Sequence, residues 1–333
     1  MPEKPNIAFY WCASCGGCEE SVVDLAESIL DILEAVNIVF WPVAMDFKKS
    51  DVQALPNGSI LASLINGAIR TSEQEEMARL LRAKSRLVIA YGACAHLGGI
   101  PSLSNQTDRE ELLRYVYQEA PTVQNENGVR PTTIHTVDGM SVVLPEFRET
   151  VRALDQVVGV DYYLPGCPPT PKLLRQAIEV LLSGNLPPAR SVLAPDHALC
   201  EECPRKDSKP NDLRPSAFRR PHLTKTDPEL CLLAQGLICM GPATRGGCEA
   251  QCIRGNMPCS GCFGPPATVA DQGAKMLTAL VSSLSPSDEE GIAQALATIP
   301  DPVGTFYRYG LARSLLRGKV PPPPPGEGMS SPR

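Results

Sequence analysis

Residues 6–21 read NIAFYWCASCGGCEES, a short apolar and aromatic run followed by a turn rich in cysteine and glycine and then by an acidic pair. Asn6 to Trp11 has the composition and length of a β-strand. The amphipathic stretch from Glu19 to Ala35 reads as a helix whose first turn carries Glu19 and Glu20 at the positive end of its dipole. The unit repeats along the chain. Further strands are predicted at Asn37 to Pro42, Ser59 to Ile65, Arg86 to Tyr91 and Val160 to Leu164, and further helices at Ser72 to Ala83, Asp108 to Glu119, Glu146 to Val158 and Pro171 to Ser183. Strands alternating with helices in this way imply an α/β domain built on a parallel sheet, spanning residues 1–188.

Three of the predicted strands end alike. SCGGCEES places Cys15 and Cys18 after the first strand, RLVIAYGAC ends at Cys94, and VDYYLPGC ends at Cys167. In a parallel sheet all strands point one way, so the loops after their C-terminal ends share one rim, where open α/β sheets hold ligands. Four thiolates from three loops on one rim suit one [4Fe-4S] cluster. Gly16, Gly17, Gly92 and Gly166 would let the backbone approach it closely. A nucleotide phosphate is the common alternative occupant of such a rim, but the chain has neither G-x-G-x-x-G nor a Walker sequence. Cys12 opens a C-x-x-C-x-x-C run. The bacterial ferredoxin pattern needs a further Cys-Pro and position 22 is Val, so Cys12 reads as a buried thiol.

The chain has 333 residues, 43% hydrophobic and 20% charged, enough for one large domain or two ordinary ones with cores of their own. A net charge of −6 gives no basic footprint, so neither nucleic acid nor an anionic membrane is an expected partner. The opening MPEKPNIAFYW has no arginine pair and no signal-type apolar run, and no stretch reaches the roughly 18 uninterrupted apolar residues of a membrane span. A soluble, cytoplasmic protein is expected. Thirteen cysteines in a reducing compartment point to metal ligation rather than disulfides. The four histidines, His96, His135, His197 and His222, are too scattered for the usual mixed zinc or copper sites.

From Gly184 to Pro195 the composition turns proline-rich, and between there and Pro266 lie Cys200, Cys203, Cys231, Cys239, Cys248, Cys252, Cys259 and Cys262. A segment with so little periodicity is expected to have no ordinary apolar core of its own and to be ordered by metal, giving a second, irregular domain over residues 189–320. Eight thiolates make two four-ligand sites, and with the rim set they account for every cysteine but Cys12. C-x-x-C pairs suit tetrahedral zinc as well as iron-sulfur clusters, and spacing does not separate the two. Residues 321–333 begin PPPPPGEG and read as polyproline followed by disorder.

At these residues the chain resembles the small subunits of [NiFe] hydrogenases, from the first strand to about Pro266. SCGGCEES is similar to that family's proximal-cluster motif, GACAHLGGIPS and LPGCPPTP to the segments that supply the third and fourth proximal ligands, and CEECPR to its distal segment. The resemblance implies a flavodoxin-like parallel-sheet domain followed by an irregular, iron-sulfur-stapled C-terminal domain. It implies three [4Fe-4S] clusters: a proximal one on Cys15, Cys18, Cys94 and Cys167, a medial one on Cys248, Cys252, Cys259 and Cys262, and a distal one on Cys200, Cys203, Cys231 and Cys239. Cys200 stands where relatives often have a histidine. His197 would take its place only if the register slipped by three residues. Cys252 stands where oxygen-exposed relatives often have proline, which implies a four-iron medial cluster of lower potential.

By the same resemblance Glu20 lies near the subunit interface, in an interface or proton-relay role, while Arg205 reads as a surface residue. The implied partners are a nickel-iron large subunit and a downstream acceptor protein such as a small iron-sulfur subunit or a heterodisulfide reductase. The form CMGPATRGGC is most like the methyl-viologen-reducing, heterodisulfide-reductase-linked group. No acid-base pair or nucleophilic dyad is recognisable, so the expected role is conduction rather than hydrogen cleavage. Two readings from other classes stay open. A single-cluster quinone-reductase subunit would share the first domain but have no use for the eight later cysteines. A zinc-stabilised scaffold would use those but not the cysteines at the strand ends.

Overall fold

The computed structural model describes residues 4–213, 215, 217–283, 289–299 and 301–316. Its first part runs β1 (Asn6–Trp11), α1 (Gly17–Val23), α2 (Ser28–Ala35), β2 (Asn37–Phe40), α3 (Lys49–Ala54), β3 (Ile60–Asn66), β4 (Ile69–Thr71), α4 (Ser72–Lys84), β5 (Ser85–Tyr91), α5 (Gly92–Leu97), α6 (Arg109–Arg114), β6 (Ile134–Val137), β7 (Met140–Val143), β8 (Phe147–Arg152), β9 (Tyr162–Leu164) and α7 (Pro171–Ser183). Five of these strands form one parallel sheet in the order β2-β1-β3-β5-β9. With the other strands set aside, this is the flavodoxin order.

The sheet is buried on both faces, as parallel sheets are. On one face Phe9, Leu64, Ile89 and Leu164 pack against Val22 of α1 and Leu174 and Ile178 of α7. On the other, Ala8, Ile65, Val88 and Ala90 pack against Val52 of α3 and Met77 and Leu81 of α4. The strand ends fall level. Trp11 pairs with Asn66, Asn66 with Tyr91 and Tyr91 with Leu164, so the loops that follow β1, β5 and β9 open side by side on one rim.

Helix α7 begins where its local signals place it: Thr170 accepts the Leu173 N–H at 3.2 Å, Pro171 occupies the first turn, and Gly184 ends the helix in the left-handed region. Elsewhere the structure corrects the sequence reading. The predicted helix from Glu19 to Ala35 is two helices, broken where Ala26 takes a φ of 51°. The predicted helix from Glu146 to Val158 is instead β8, antiparallel to β4, followed by a short 3-10 turn at Leu154–Gln156. Tertiary contacts override its helical pattern there. Asn105 donates to the Val151 carbonyl at 2.9 Å and accepts its N–H at 2.8 Å, while Arg152 reaches the buried Glu75 at 2.6 Å. The predicted helix from Asp108 to Glu119 holds α geometry only through Arg114 and then widens into a π-turn at Tyr115–Glu119.

The β6–β7 hairpin went unread in the sequence, although Asp138-Gly139 is a strong two-residue turn signal and both residues have positive φ. Every residue of its strands is exposed, among them Ile134, Met140 and Val143.

The later part contains α8 (Leu199–Glu202), α9 (Gln251–Arg254), α10 (Gln272–Ser283), α11 (Glu289–Ala297) and α12 (Pro302–Phe306). The cysteine-rich segment contributes to an apolar core that it shares with elements beyond it. Leu199, Leu232, Leu237 and Ile253 from that segment pack with Met276 and Leu280 of α10, Phe306 of α12 and Leu311 into one buried cluster. Its apolar partners lie after the last cysteine, which a reading confined to the segment misses. The predicted polyproline tail, residues 321–333, lies outside the described residues.

Candidate metal centres

The loop after β1 leaves the sheet at Cys12, whose N–H donates to the Asn66 carbonyl at 2.8 Å, and turns at Gly16 with a φ of 87°. This turn puts Cys15 at the surface and sends Cys18 inward as the second residue of α1. Cys94 follows β5 inside α5, and Cys167 follows β9.

The structure brings these four side chains together. Burial and the nearby Cys94, Cys167 and Cys15 thiols and Glu19 push the Cys18 thiol far up. Burial and then Cys167 and Cys15 push Cys94 up to about 12, and burial and then Cys15 raise Cys167. The backbone around them is drawn in to a distance only glycine allows. A Cβ on Gly92, where φ is +85°, would stand 2.4 Å from the Cys18 sulfur, and one on Gly99, where φ is +59°, would stand 2.3 Å from the Cys94 sulfur.

A second set forms around α9. Cys248, Cys252, Cys259 and Cys262 line one cavity of about 220 Å³, together with Cys167, Thr244 and Phe263. Burial and then Cys167, Cys248 and Cys252 push Cys262 up to about 12, and burial, Cys239 and Cys262 raise Cys259. The N–H groups of Ala250 and Gln251 point at Cys248 and oppose its upward shift.

A third set lies beyond it. Burial, then Cys239, Cys203 and Cys231 push Cys200 up to about 12 against the opposing charge of Lys209. Cys239 is raised by burial, Cys231 and Cys203, and receives the N–H groups of Gly241 and Cys259.

Two contacts join the sets. Cys262 neighbours Cys167 of the first set, and the Cys259 N–H donates to the Cys239 sulfur of the third at 3.3 Å. Twelve thiols therefore fall into three neighbouring groups, the second of which touches each of the others. Cys12 stands apart, in the core on the opposite face of the sheet, with burial as the cause of its raised thiol pKa.

Among the described residues no three His, Cys, Asp or Glu side chains converge closely enough to hold one metal ion. The second set lines a cavity of about 220 Å³, and each set offers four soft thiol donors, the donor type that an inorganic iron-sulfur core takes. His197 faces Glu202 at 3.5 Å.

Glu20 is exposed in the first turn of α1. Its neighbour Glu19 is buried, accepts the Trp41 indole N–H, and accepts the Asn66 amide at 2.5 Å. Asn66 also accepts the Ser14 hydroxyl at 3.1 Å, so Glu19 anchors the loop that carries Cys15 to the end of β3. Sequence reasoning passed over Glu19 because both acids suit a helix N-terminus, and only the packing shows which one turns inward. It also misplaced Arg205, which is 5% exposed rather than on the surface.

Residues 15–181 match the family described as NADH ubiquinone oxidoreductase, 20 Kd subunit. Over 95% of its length the chain is 37% identical to an F420-non-reducing hydrogenase iron-sulfur subunit of Archaeoglobus profundus, covering 98% of that protein. It is likewise 37% identical, over 96% of its length, to an F420-non-reducing hydrogenase subunit of Methanothermobacter thermautotrophicus, again covering 98% of it. Among solved structures, the recombinant [NiFeSe] hydrogenase of Desulfovibrio vulgaris Hildenborough superposes with a TM-score of 0.50 at 17% identity, over 80% of this chain and 95% of that one, a likeness of fold. With a family match over half its length and relatives matched almost end to end at 37% identity, the chain belongs to the NADH ubiquinone oxidoreductase 20 Kd subunit family and, within it, groups with the small subunits of F420-non-reducing hydrogenases.

Proposed function

We propose that this chain is the electron-relay subunit of a cytoplasmic [NiFe] hydrogenase, carrying three [4Fe-4S] clusters between a catalytic large subunit and an external acceptor protein. What supports the reading is that the three thiol groups neighbour one another in series, through Cys167–Cys262 and Cys239–Cys259. Bound [4Fe-4S] clusters supply one-electron redox chemistry. Cys15, Cys18, Cys94 and Cys167 would hold the proximal one, Cys248, Cys252, Cys259 and Cys262 the medial one, and Cys200, Cys203, Cys231 and Cys239 the distal one.

The chain's own contribution is burial, spacing and donors to sulfur. Gly92 and Gly99 leave room at Cys18 and Cys94, and the N–H groups of Gly241, Ala250 and Gln251 favour thiolate at Cys239 and Cys248. Residues 1–188 would form the unit around the proximal group and residues 189–320 the unit around the other two. Glu20, exposed beside Cys18, is assigned to the subunit interface. The exposed apolar hairpin of β6 and β7 supports a permanent partner, since an isolated two-stranded hairpin is marginal in water. The acceptor would dock near the distal group and be a small iron-sulfur subunit or a heterodisulfide reductase. Full-length likeness to hydrogenase subunits, including the eight later cysteines, favours this reading over a single-cluster quinone-reductase subunit.

The test is electron paramagnetic resonance of the complex purified anaerobically with its partners. Hydrogen gas should produce reduced-cluster signals from this chain, and the isolated chain under hydrogen should stay silent. A complex that stays oxidised under hydrogen yet reduces with dithionite would refute the assignment. The lone thiol gives a control: Cys12→Ala should keep all the iron and lower stability by about 1 kcal/mol in urea unfolding, as a small core truncation does.

A further inference from the structure

Arg205 sits two residues after Cys203 and is 5% exposed. Its backbone N–H points at the Cys203 sulfur at 3.4 Å. One arm of its guanidinium donates to the carbonyls of Asp227 at 3.4 Å and Leu230 at 3.3 Å, immediately before Cys231. The other donates to the Ile253 carbonyl at 3.1 Å and the Asn256 side-chain oxygen at 2.9 Å, immediately after Cys252. Its own carbonyl accepts the Ser208 hydroxyl at 2.8 Å, and that hydroxyl oxygen accepts the Cys231 N–H at 2.7 Å. One buried side chain therefore spans the segments of two thiol groups, and among the described residues none of its hydrogen-bond partners carries a charge.

A planar fork with donors on both arms can hold two backbone segments at a fixed separation, which the single ammonium of lysine cannot reproduce. A buried cation with neutral partners also lowers the free energy of any negative charge added nearby, because the interior screens it weakly. We propose that Arg205 is a positioning residue that locks the distal and medial thiol segments together and raises the reduction potential of the distal centre, biasing electrons toward the outer end of the series. The assignment rests on the cluster reading above.

The test compares Arg205→Met and Arg205→Lys in the complete complex by redox titration of the distal paramagnetic signal and by the rate at which an iron chelator removes iron. Arg205→Met should lower the reduced-to-oxidised ratio of the distal centre at fixed potential about tenfold, or about 59 mV for one electron. Arg205→Lys, which keeps the charge, should recover most of that ratio, while both variants release iron faster. Should Arg205→Met fail to assemble, Asn256→Ala removes one of the two contacts of that arm and keeps the cation, and faster iron release from it supports the lock. Wild-type ratio and wild-type release in both Arg205 variants, or in Arg205→Lys and Asn256→Ala, overturns the proposal. An unaltered complex without iron and sulfide would instead overturn the cluster reading itself.

Discussion

Cys167→Ala is expected to remove about a third of the chain's iron, from about twelve to about eight atoms, since one four-iron group loses a ligand. Hydrogen-dependent reduction of an external dye should fall at least about 100-fold, the upper end of what losing even an outer-shell partner costs a metal site. Cys167 is the position to choose because it belongs to two neighbourhoods. It stands beside Cys15 and Cys94 in the rim group, and it lines the cavity of the next group beside Cys262. Its loss should therefore interrupt the series where the first two groups meet. Iron content and dye reduction, measured on the same preparation, check this. A variant with full iron would show that Cys167 is not a ligand, and one with a third less iron but unimpaired dye reduction would show that the rim group is not on the electron path.

Gly92→Ala is expected to be nearly as damaging although it touches no ligand chemically. A non-glycine residue at a φ of +85° costs about 1–2 kcal/mol. The new Cβ would lie 2.4 Å from the Cys18 sulfur, and overpacking of that kind costs about 1–3 kcal/mol more. The sum is about 2–5 kcal/mol of stability, read as a shift in the urea midpoint, together with loss of the rim group's iron. Gly139→Ala is the matched control, with a φ of +80° and nothing within 4 Å of the added carbon. It should cost only the dihedral term and no iron. Equal effects at the two glycines would mean that the close approach at Cys18 does not matter.

Cys167 and Gly92 both lie on a rim whose layout is legible in the sequence. The strands that build the rim are contiguous apolar runs ended by glycine and cysteine, and a parallel sheet leaves few ways to arrange them, so their C-terminal ends fall level at Trp11, Asn66, Tyr91 and Leu164. Helix α7 was legible to the residue because its cap, its first-turn proline and its final glycine are local signals. The stretch from Glu146 to Arg152 was not, since its pairing with β4 is decided by Asn105 and Glu75, distant in sequence. The shared core of the later segment was not legible for the same reason, its apolar partners Met276, Leu280 and Phe306 all lying after the last cysteine. Charged residues were the least legible. Glu19 and Arg205 each look like ordinary surface chemistry in sequence, and only three-dimensional packing turns one toward Asn66 and the other between two thiol segments.

Iron and acid-labile sulfide per chain, measured in the anaerobically purified complex with iron bound by any partner subunit subtracted, decide whether the twelve thiols hold three iron-sulfur clusters. About twelve of each is the predicted result. About four of each would confine metal to the rim group and contradict the relay, and zinc without sulfide would contradict electron transfer by this chain altogether.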